Sequence, residues 1–126
     1  MDLQLKDKGV VVTGGARGIG AASVHALAAE DACPVVVDRD GDAGRQLQTV
    51  LGRGHLIVTD LLEPENCHDA VEQTVRKYGR LDGLVNNAGV NDQIGLEHGN
   101  SSQFMESIER NLLHYYNIWH TMQCRI

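Results

Sequence analysis

The sequence predicts an α/β protein, a doubly wound parallel sheet with helices on both of its faces. Three observations predict it. Four short runs of Val, Leu and Ile are separated by segments of helical pattern. Those runs are continuous rather than alternating, which is how strands buried on both faces read. The 126 residues leave room for one domain, spanning 1–126, with no repeat, low-complexity tract or linker.

The first strand is Val10-Val11-Val12. Ile19 to Glu30 follows, rich in alanine and therefore in helix propensity. Pro34 precedes Val35-Val36-Val37, and a proline costs least at the start of a strand. Asp42 to Leu51 reads as a second helix, ended by Gly52 and Gly54. His55 to Val58 is the third strand. Glu63 to Tyr78 is the clearest early helix, with Pro64 in its first turn and Gly79 at its end. Leu84-Val85 is the fourth strand, and Asn86 to Asn100, polar and Gly-rich, is a loop. The last helix is expected to start at Ser101-Ser102, with Glu106 where negative charge favours the first turns. It carries Phe104, Ile108, Leu112, Tyr115, Trp119 and Met122 on one stripe with Leu113 and Tyr116 beside it; one face is expected to pack on the sheet and the rest, with surplus aromatic surface around Tyr116 and Trp119, to suit a helix–helix interface. Connection rules order the strands 3-2-1-4 and leave the fourth at an edge. An uncovered apolar edge favours association, so a homo-oligomer or docking through that edge and the last helix is expected.

Composition narrows the function. The chain is 42% hydrophobic and 22% charged, ordinary for a folded soluble domain. No apolar run approaches the ~18 residues of a membrane span. The first residues, Met1-Asp2-Leu3-Gln4-Leu5-Lys6, lack a signal pattern, so a cytoplasmic location is expected. Net charge is −6 with 11 Lys and Arg, and no basic cluster exceeds Arg76-Lys77. Nucleic acid and anionic membranes are therefore poor partners. Cys33, Cys67 and Cys124 are far apart and the His are dispersed, so no metal site is expected. His120 and Cys124 share a helix face, but two ligands do not make a site.

The chemistry concentrates in Thr13-Gly14-Gly15-Ala16-Arg17-Gly18-Ile19-Gly20, between the first strand and the first helix. A phosphate can approach backbone amides there because no Cβ stands in the way, and the helix N-terminus adds partial positive charge. A mononucleotide phosphate loop is excluded, since Gly20 is followed by Ala21-Ala22 rather than Lys and a hydroxyl. The remaining alternative is a glycine-rich turn without ligand. Asp38 ends the second strand 18 residues after Gly20, close to where dinucleotide folds place an acid on the adenosine ribose. A carboxylate there accepts from both ribose hydroxyls and repels the 2′-phosphate of NADP. Like charges ~4 Å apart at an effective dielectric of ~20 cost about 4 kcal/mol, which favours NAD over NADP. Arg17 and Arg39 could offset part of that repulsion. Alternatively, Asp38 is a solvated carboxylate at a strand end.

These residues, with Asp60 after the third strand, Asn86-Asn87-Ala88-Gly89 after the fourth and Asn111 in the last helix, resemble the short-chain dehydrogenase/reductase family. The opening residues and Asn87 to Asp92 are most similar to bacterial sugar dehydrogenases of the L-fucose dehydrogenase type. The resemblance implies a Rossmann-type sheet and a nicotinamide cofactor. It implies that Gly14, Gly18 and Gly20 line the pyrophosphate beside Arg17, with Ile19 beneath the nicotinamide end. Asp60 would accept from the adenine amino group, and Leu61 would present its backbone near that ring. Asn87, Ala88 and Gly89 would brace the glycine loop and flank the cofactor. Asn111 would be the catalytic asparagine that holds a water in the family's proton relay.

That family transfers the substrate proton through a tyrosine tuned by a lysine four residues on. Four residues after Tyr78, Tyr115 and Tyr116 stand Asp82, Trp119 and His120, and the lysines are Lys6, Lys8 and Lys77. The catalytic Ser and Tyr-x-x-x-Lys are thus expected beyond this chain, which would be a cofactor-binding half, incomplete at its C-terminus and inactive alone. The resemblance implies an NAD-dependent oxidoreductase moving hydride between nicotinamide and a small alcohol or sugar. The alternative is a non-catalytic nucleotide-binding or interaction module left by truncation.

Overall fold

The valine runs pair as their composition requires. In the computed structural model, which describes residues 2–125, β1 (Gly9–Thr13) lies between β2 (Cys33–Asp38) and β4 (Gly83–Val85). Met1 and Ile126, the outermost residues of the expected domain, lie outside the described residues. All pairs are parallel: Gly9 to Thr13 face Cys33 to Val37, Val10 faces Gly83, and Val35 faces His55 of β3 (His55–Val58). The sheet order is β3-β2-β1-β4, as the connection rules predict.

Side chains alternate along a strand, so each run feeds two cores. On one face Val11, Val35, Val37 and Ile57 meet Cys67, Ala70 and Val71 of α3 (Pro64–Tyr78) and Ile118 and Met122 of α5 (His114–Gln123). On the other, Val12 and Val36 meet Val24 of α1 (Gly18–Ala29) and Ala43 and Leu47 of α2 (Gly41–Leu51). The sheet is therefore covered on both faces. No helix of the described residues is long and apolar enough to cross a membrane.

Helix ends follow local chemistry. Asp40 caps α2, its carboxylate accepting from Ala43 N at 3.0 Å, and Gly52 and Gly79 end α2 and α3. Asn100 and Gln103 form a reciprocal capping box for α4 (Ser101–Ile108), so the start is where expected but the cap is one residue earlier.

The last helix corrects two expectations. It is not one α-helix, because a π-helical turn, Glu109–Leu113, separates α4 from α5. Nor does the predicted stripe face the sheet: Phe104, Leu112, Tyr115 and Trp119 are exposed, and only Met122 of that set is fully buried. The buried face runs through His114, Ile118 and Met122, at i, i+4 and i+8. A hydrophobicity pattern passes over that face because it carries a histidine.

At the opposite end of the sheet, Asp82 ties the start of β1 to the turn before β4. Its Oδ2 accepts from Gly9 N at 2.8 Å and from Arg80 Nε at 2.7 Å, with Lys8 Nζ at 3.7 Å from Oδ1. The Arg80 guanidinium holds the Asp82 carboxyl below its ordinary value of 3.8, against a smaller effect of burial. A depressed carboxyl pKa contributes stability that is present above that value and lost as pH falls through it. Asp82→Ala should therefore cost about 1–2 kcal/mol at neutral pH, and less at pH 3, when followed by urea denaturation. An unchanged urea midpoint at neutral pH would contradict this role.

Candidate functional site

The glycine loop is shaped by contacts at two glycines and left open at the third. Gly14 has φ +61°, and a Cβ there would lie 2.9 Å from Ala88 Cα. A Cβ on Gly20 would lie 2.1 Å from the Gly14 carbonyl oxygen, so the first turn of α1 touches the loop backbone to backbone. Gly18 is different: its φ is +53°, yet a Cβ there would meet nothing within 4 Å. Position 18 faces open space. The start of α1 has no side-chain cap and no acidic residue in its first turn, so its amides remain available to an anion. Ile19, 79% exposed, lines the adjoining cavity rather than packing into the protein.

Asp38 closes the far side of that loop. Its Oδ2 accepts from Ala16 N at 3.0 Å and its Oδ1 from Asp40 N at 2.9 Å. Two backbone amides thus fix the carboxylate's orientation, and each oxygen keeps a lone pair for another donor. Arg17 is not free to offset charge at Asp38, because its Nε and Nη2 lie 2.8 and 2.7 Å from Asp40 Oδ2. The Ala43 amide, and then the Arg17 guanidinium, hold the Asp40 carboxyl below the usual carboxylate range. Arg39 is exposed on the cavity rim. After β3, Asp60 is exposed and accepts from Leu62 N at 3.0 Å, while Leu61 is buried with its carbonyl 3.3 Å from the Cys67 thiol.

The loop after β4 is clasped to the glycine loop by Thr13. The buried Thr13 hydroxyl oxygen accepts from Asn87 N and Ala88 N, both at 3.0 Å. Asn87 Nδ2 returns bonds to the carbonyls of Thr13 at 3.2 Å and Gly14 at 3.0 Å. The brace expected of Asn87 and Ala88 is present, and its hub is a threonine hydroxyl to which the sequence reading gave no role. Asn111 sits in the π-helical turn, where its Oδ1 accepts from Val90 N at 2.7 Å and its Nδ2 donates to Ser107 O at 3.0 Å. A Cβ on Gly89 would come within 2.7 Å of Asn111 Oδ1. Asn111 thus holds the loop of Gly89 and Val90 and does not itself line the cavity.

These elements line an open cavity of about 850 Å³ across the C-terminal ends of the four strands. Of the predicted residues it is lined by Gly14, Arg17, Gly18, Ile19, Asp38, Asp60, Leu61, Asn87, Ala88 and Gly89, with Gly20 and Asn111 standing behind its wall. A cleft at the carboxyl ends of parallel strands is where open α/β sheets bind ligands. Asp92 and His114 also line it and were not foreseen. Nothing in local pattern marks a lone loop aspartate or a helix histidine.

The family model for short chain dehydrogenases matches residues 8–123. The chain is 36% identical over 119 residues to L-fucose dehydrogenase of Bos taurus, covering 94% of this chain and 44% of that protein. It is 39% identical over 112 residues to L-fucose dehydrogenase of Mus musculus, covering 88% of this chain and 41% of that one. The crystal structure of Cj0485 dehydrogenase matches with a TM-score of 0.89 at 32% identity, covering 100% of this chain and 49% of that one. The chain therefore spans less than half the length of these dehydrogenases. With the strand order, the glycine loop and the Asn87 brace already in place, these matches establish that the chain belongs to the short-chain dehydrogenase family.

Proposed function

We propose that this chain is the NAD-binding half of a short-chain dehydrogenase that oxidises a sugar or alcohol hydroxyl. The observation that carries the reading is the bare start of α1, with unobstructed Gly18 opening onto a cavity that ends at Asp38. The site fits a dinucleotide: amides of Gly18, Ile19 and Gly20 would take the pyrophosphate, and Asp38 the ribose hydroxyls. Asp60 and Leu61 would border the adenine. Asn87, Ala88 and Gly89 would flank the other end, with Asn111 positioning them through Val90. When bound, nicotinamide supplies the hydride acceptor. The residues of this chain bind and orient; the proton-transfer groups belong to the remainder of such an enzyme. The exposed face of Phe104, Leu112, Tyr116 and Trp119, with β4 at the sheet edge, suits association with that remainder or with a second copy. A cytoplasmic setting accords with this reading.

Asp38 sets the preference between cofactors. With Arg17 paired to Asp40, only the exposed Arg39 on the cavity rim is left to offset part of the repulsion that a 2′-phosphate meets at Asp38. NAD should bind at least about tenfold more tightly than NADP, a difference of ~1.4 kcal/mol, and Asp38→Ala should narrow that gap. Titration calorimetry giving NADP equal or tighter binding to the unaltered chain would refute it.

Gly18 tests the phosphate cradle. Gly18→Val places a branched side chain in the open space and forces it into left-handed backbone, a strain of roughly 1–2 kcal/mol. NAD binding should fall far more than thermal stability does. Gly20→Ala, whose Cβ would strike the Gly14 carbonyl, should instead lower stability first. A folded Gly18→Val chain with unaltered NAD affinity would remove the assignment.

A second reading, a nucleotide-binding module without catalysis, is favoured by one observation: no tyrosine here has a lysine four residues on. On either reading the 126-residue chain should show no turnover of NAD with L-fucose or simple alcohols. Saturable NADH production by the purified chain would overturn the division of labour between the two halves.

A further inference from the structure

The cavity wall that follows β3 is held from behind. Asp60, Leu61 and Leu62 line the cavity, whereas Asn66 and Cys67, in the first turn of α3, do not. Both of those side chains nevertheless bond to the wall. Asn66 Nδ2 donates to the Asp60 carbonyl at 2.8 Å, and the Cys67 thiol donates to the Leu61 carbonyl at 3.3 Å. Burial, and then the charge of Asp60, push the Cys67 thiol up to about 11, so it stays protonated and serves as a donor. Two successive carbonyls are thus drawn behind the wall. The near end of the segment is fixed by Thr59, whose N–H donates to Asp38 O at 3.0 Å.

A trans peptide sets its N–H opposite its carbonyl. With the Asp60 carbonyl turned to Asn66, the Leu61 N–H is directed away from α3, to the cavity side of the wall. The Asp60 carboxylate stands beside it: Oδ1 accepts from Leu62 N at 3.0 Å, which leaves Oδ2 for another donor. The wall therefore offers one donor next to one acceptor. Adenine carries the complement, an accepting N1 beside a donating 6-amino group. A 6-oxopurine such as hypoxanthine carries the reverse, a donating N1–H beside an accepting oxygen. Core packing against Cys67 and Ala70 fixes the Leu61 side chain but not the plane of the peptide before it. Were that plane to turn over, a carbonyl would replace the N–H and the wall would offer acceptors only. Asn66 is the side chain that holds the plane.

We propose that Asn66 is a positioning residue for base recognition: by holding the Asp60 carbonyl it keeps the Leu61 N–H toward the cavity, and so selects a 6-aminopurine dinucleotide over a 6-oxopurine one. The proposal rests on the NAD-binding reading, in which Asp60 and Leu61 border the adenine. It is tested on the 126-residue chain by titration calorimetry with NAD and with nicotinamide hypoxanthine dinucleotide, which differ only in the base. The unaltered chain should bind NAD about threefold to tenfold more tightly than the analogue. Asn66→Ala should weaken NAD binding and leave the analogue bound as before, so that the ratio narrows. Asn66→Asp keeps the shape of the side chain and puts a favourable charge in the first turn of α3, yet cannot donate to the carbonyl. It should therefore fold and narrow the ratio in the same way, whatever the stability of Asn66→Ala. A folded variant with an unaltered ratio, or one that loses both dinucleotides equally, would overturn the role of Asn66. Equal binding of the two by the unaltered chain would overturn it as well. Failure of the NAD-binding reading would register separately, as absent NAD binding or binding indifferent to Gly18→Val.

Discussion

The carbonyl of Gly14 lies where a side chain at position 20 would begin, and the geometry of the whole site depends on that approach. Four elements meet there. Gly14 directly follows β1, its N–H donates to Val37 O of β2 at 2.8 Å, and its carbonyl accepts from Asn87 of the β4 loop. The first turn of α1 packs on the same carbonyl. With both glycines lacking Cβ, the helix can start close against the sheet and aim its amides into the cavity. A side chain at position 14 or 20 would push the helix away from the sheet and from the loop that holds Asn87. The phosphate-binding geometry is thus a packing constraint before it is a chemical one.

The treatment of helix ends separates structure from function in this chain. α2 is capped by Asp40 and α4 by the Asn100–Gln103 box, each worth about 1 kcal/mol. α3 also lacks a side-chain cap but carries Glu65 in its first turn, whereas α1 has neither a side-chain cap nor an acid there. Its amides are the ones that face the cavity. Forgoing a cap there sacrifices stability to keep an anion site open, the pattern expected where folding and binding make opposite demands. Asp38 and Asp40 share a related division: Asp40 holds Arg17 and caps α2, so Arg17 does not serve Asp38, while Arg39 stands exposed on the rim of the same cavity.

Much of this was legible in the sequence because it is local. Valine runs mark strands, their continuity marks two buried faces, and handedness then fixes the order β3-β2-β1-β4. Gly14, Gly18 and Gly20 alone read equally as a ligand-free turn; Asp38 at the end of the next strand and the joint spacing of the family motifs raised them above it. What stayed hidden is long-range or polar. Thr13 meets Asn87 across 74 positions and Gly9 meets Asp82 across 73, separations that no local pattern encodes. The orientation of the last helix was misread because its buried face includes His114, while Phe104, Tyr115 and Trp119 lie outward. The π-helical turn at Glu109–Leu113 has no compositional signature, yet it carries the Asn111 that holds Val90. Asn111 was found by resemblance, and its contacts make it a brace for the loop.

The most direct measurement is a crystal structure of this chain grown with NAD. The pyrophosphate should lie on the amides of Gly18, Ile19 and Gly20, with the adenosine ribose hydroxyls on Asp38 and the nicotinamide toward Ala88 and Gly89. A dinucleotide bound elsewhere, or one lying in this cavity with its ribose turned away from Asp38, would contradict the assignment of the glycine loop as the cofactor site.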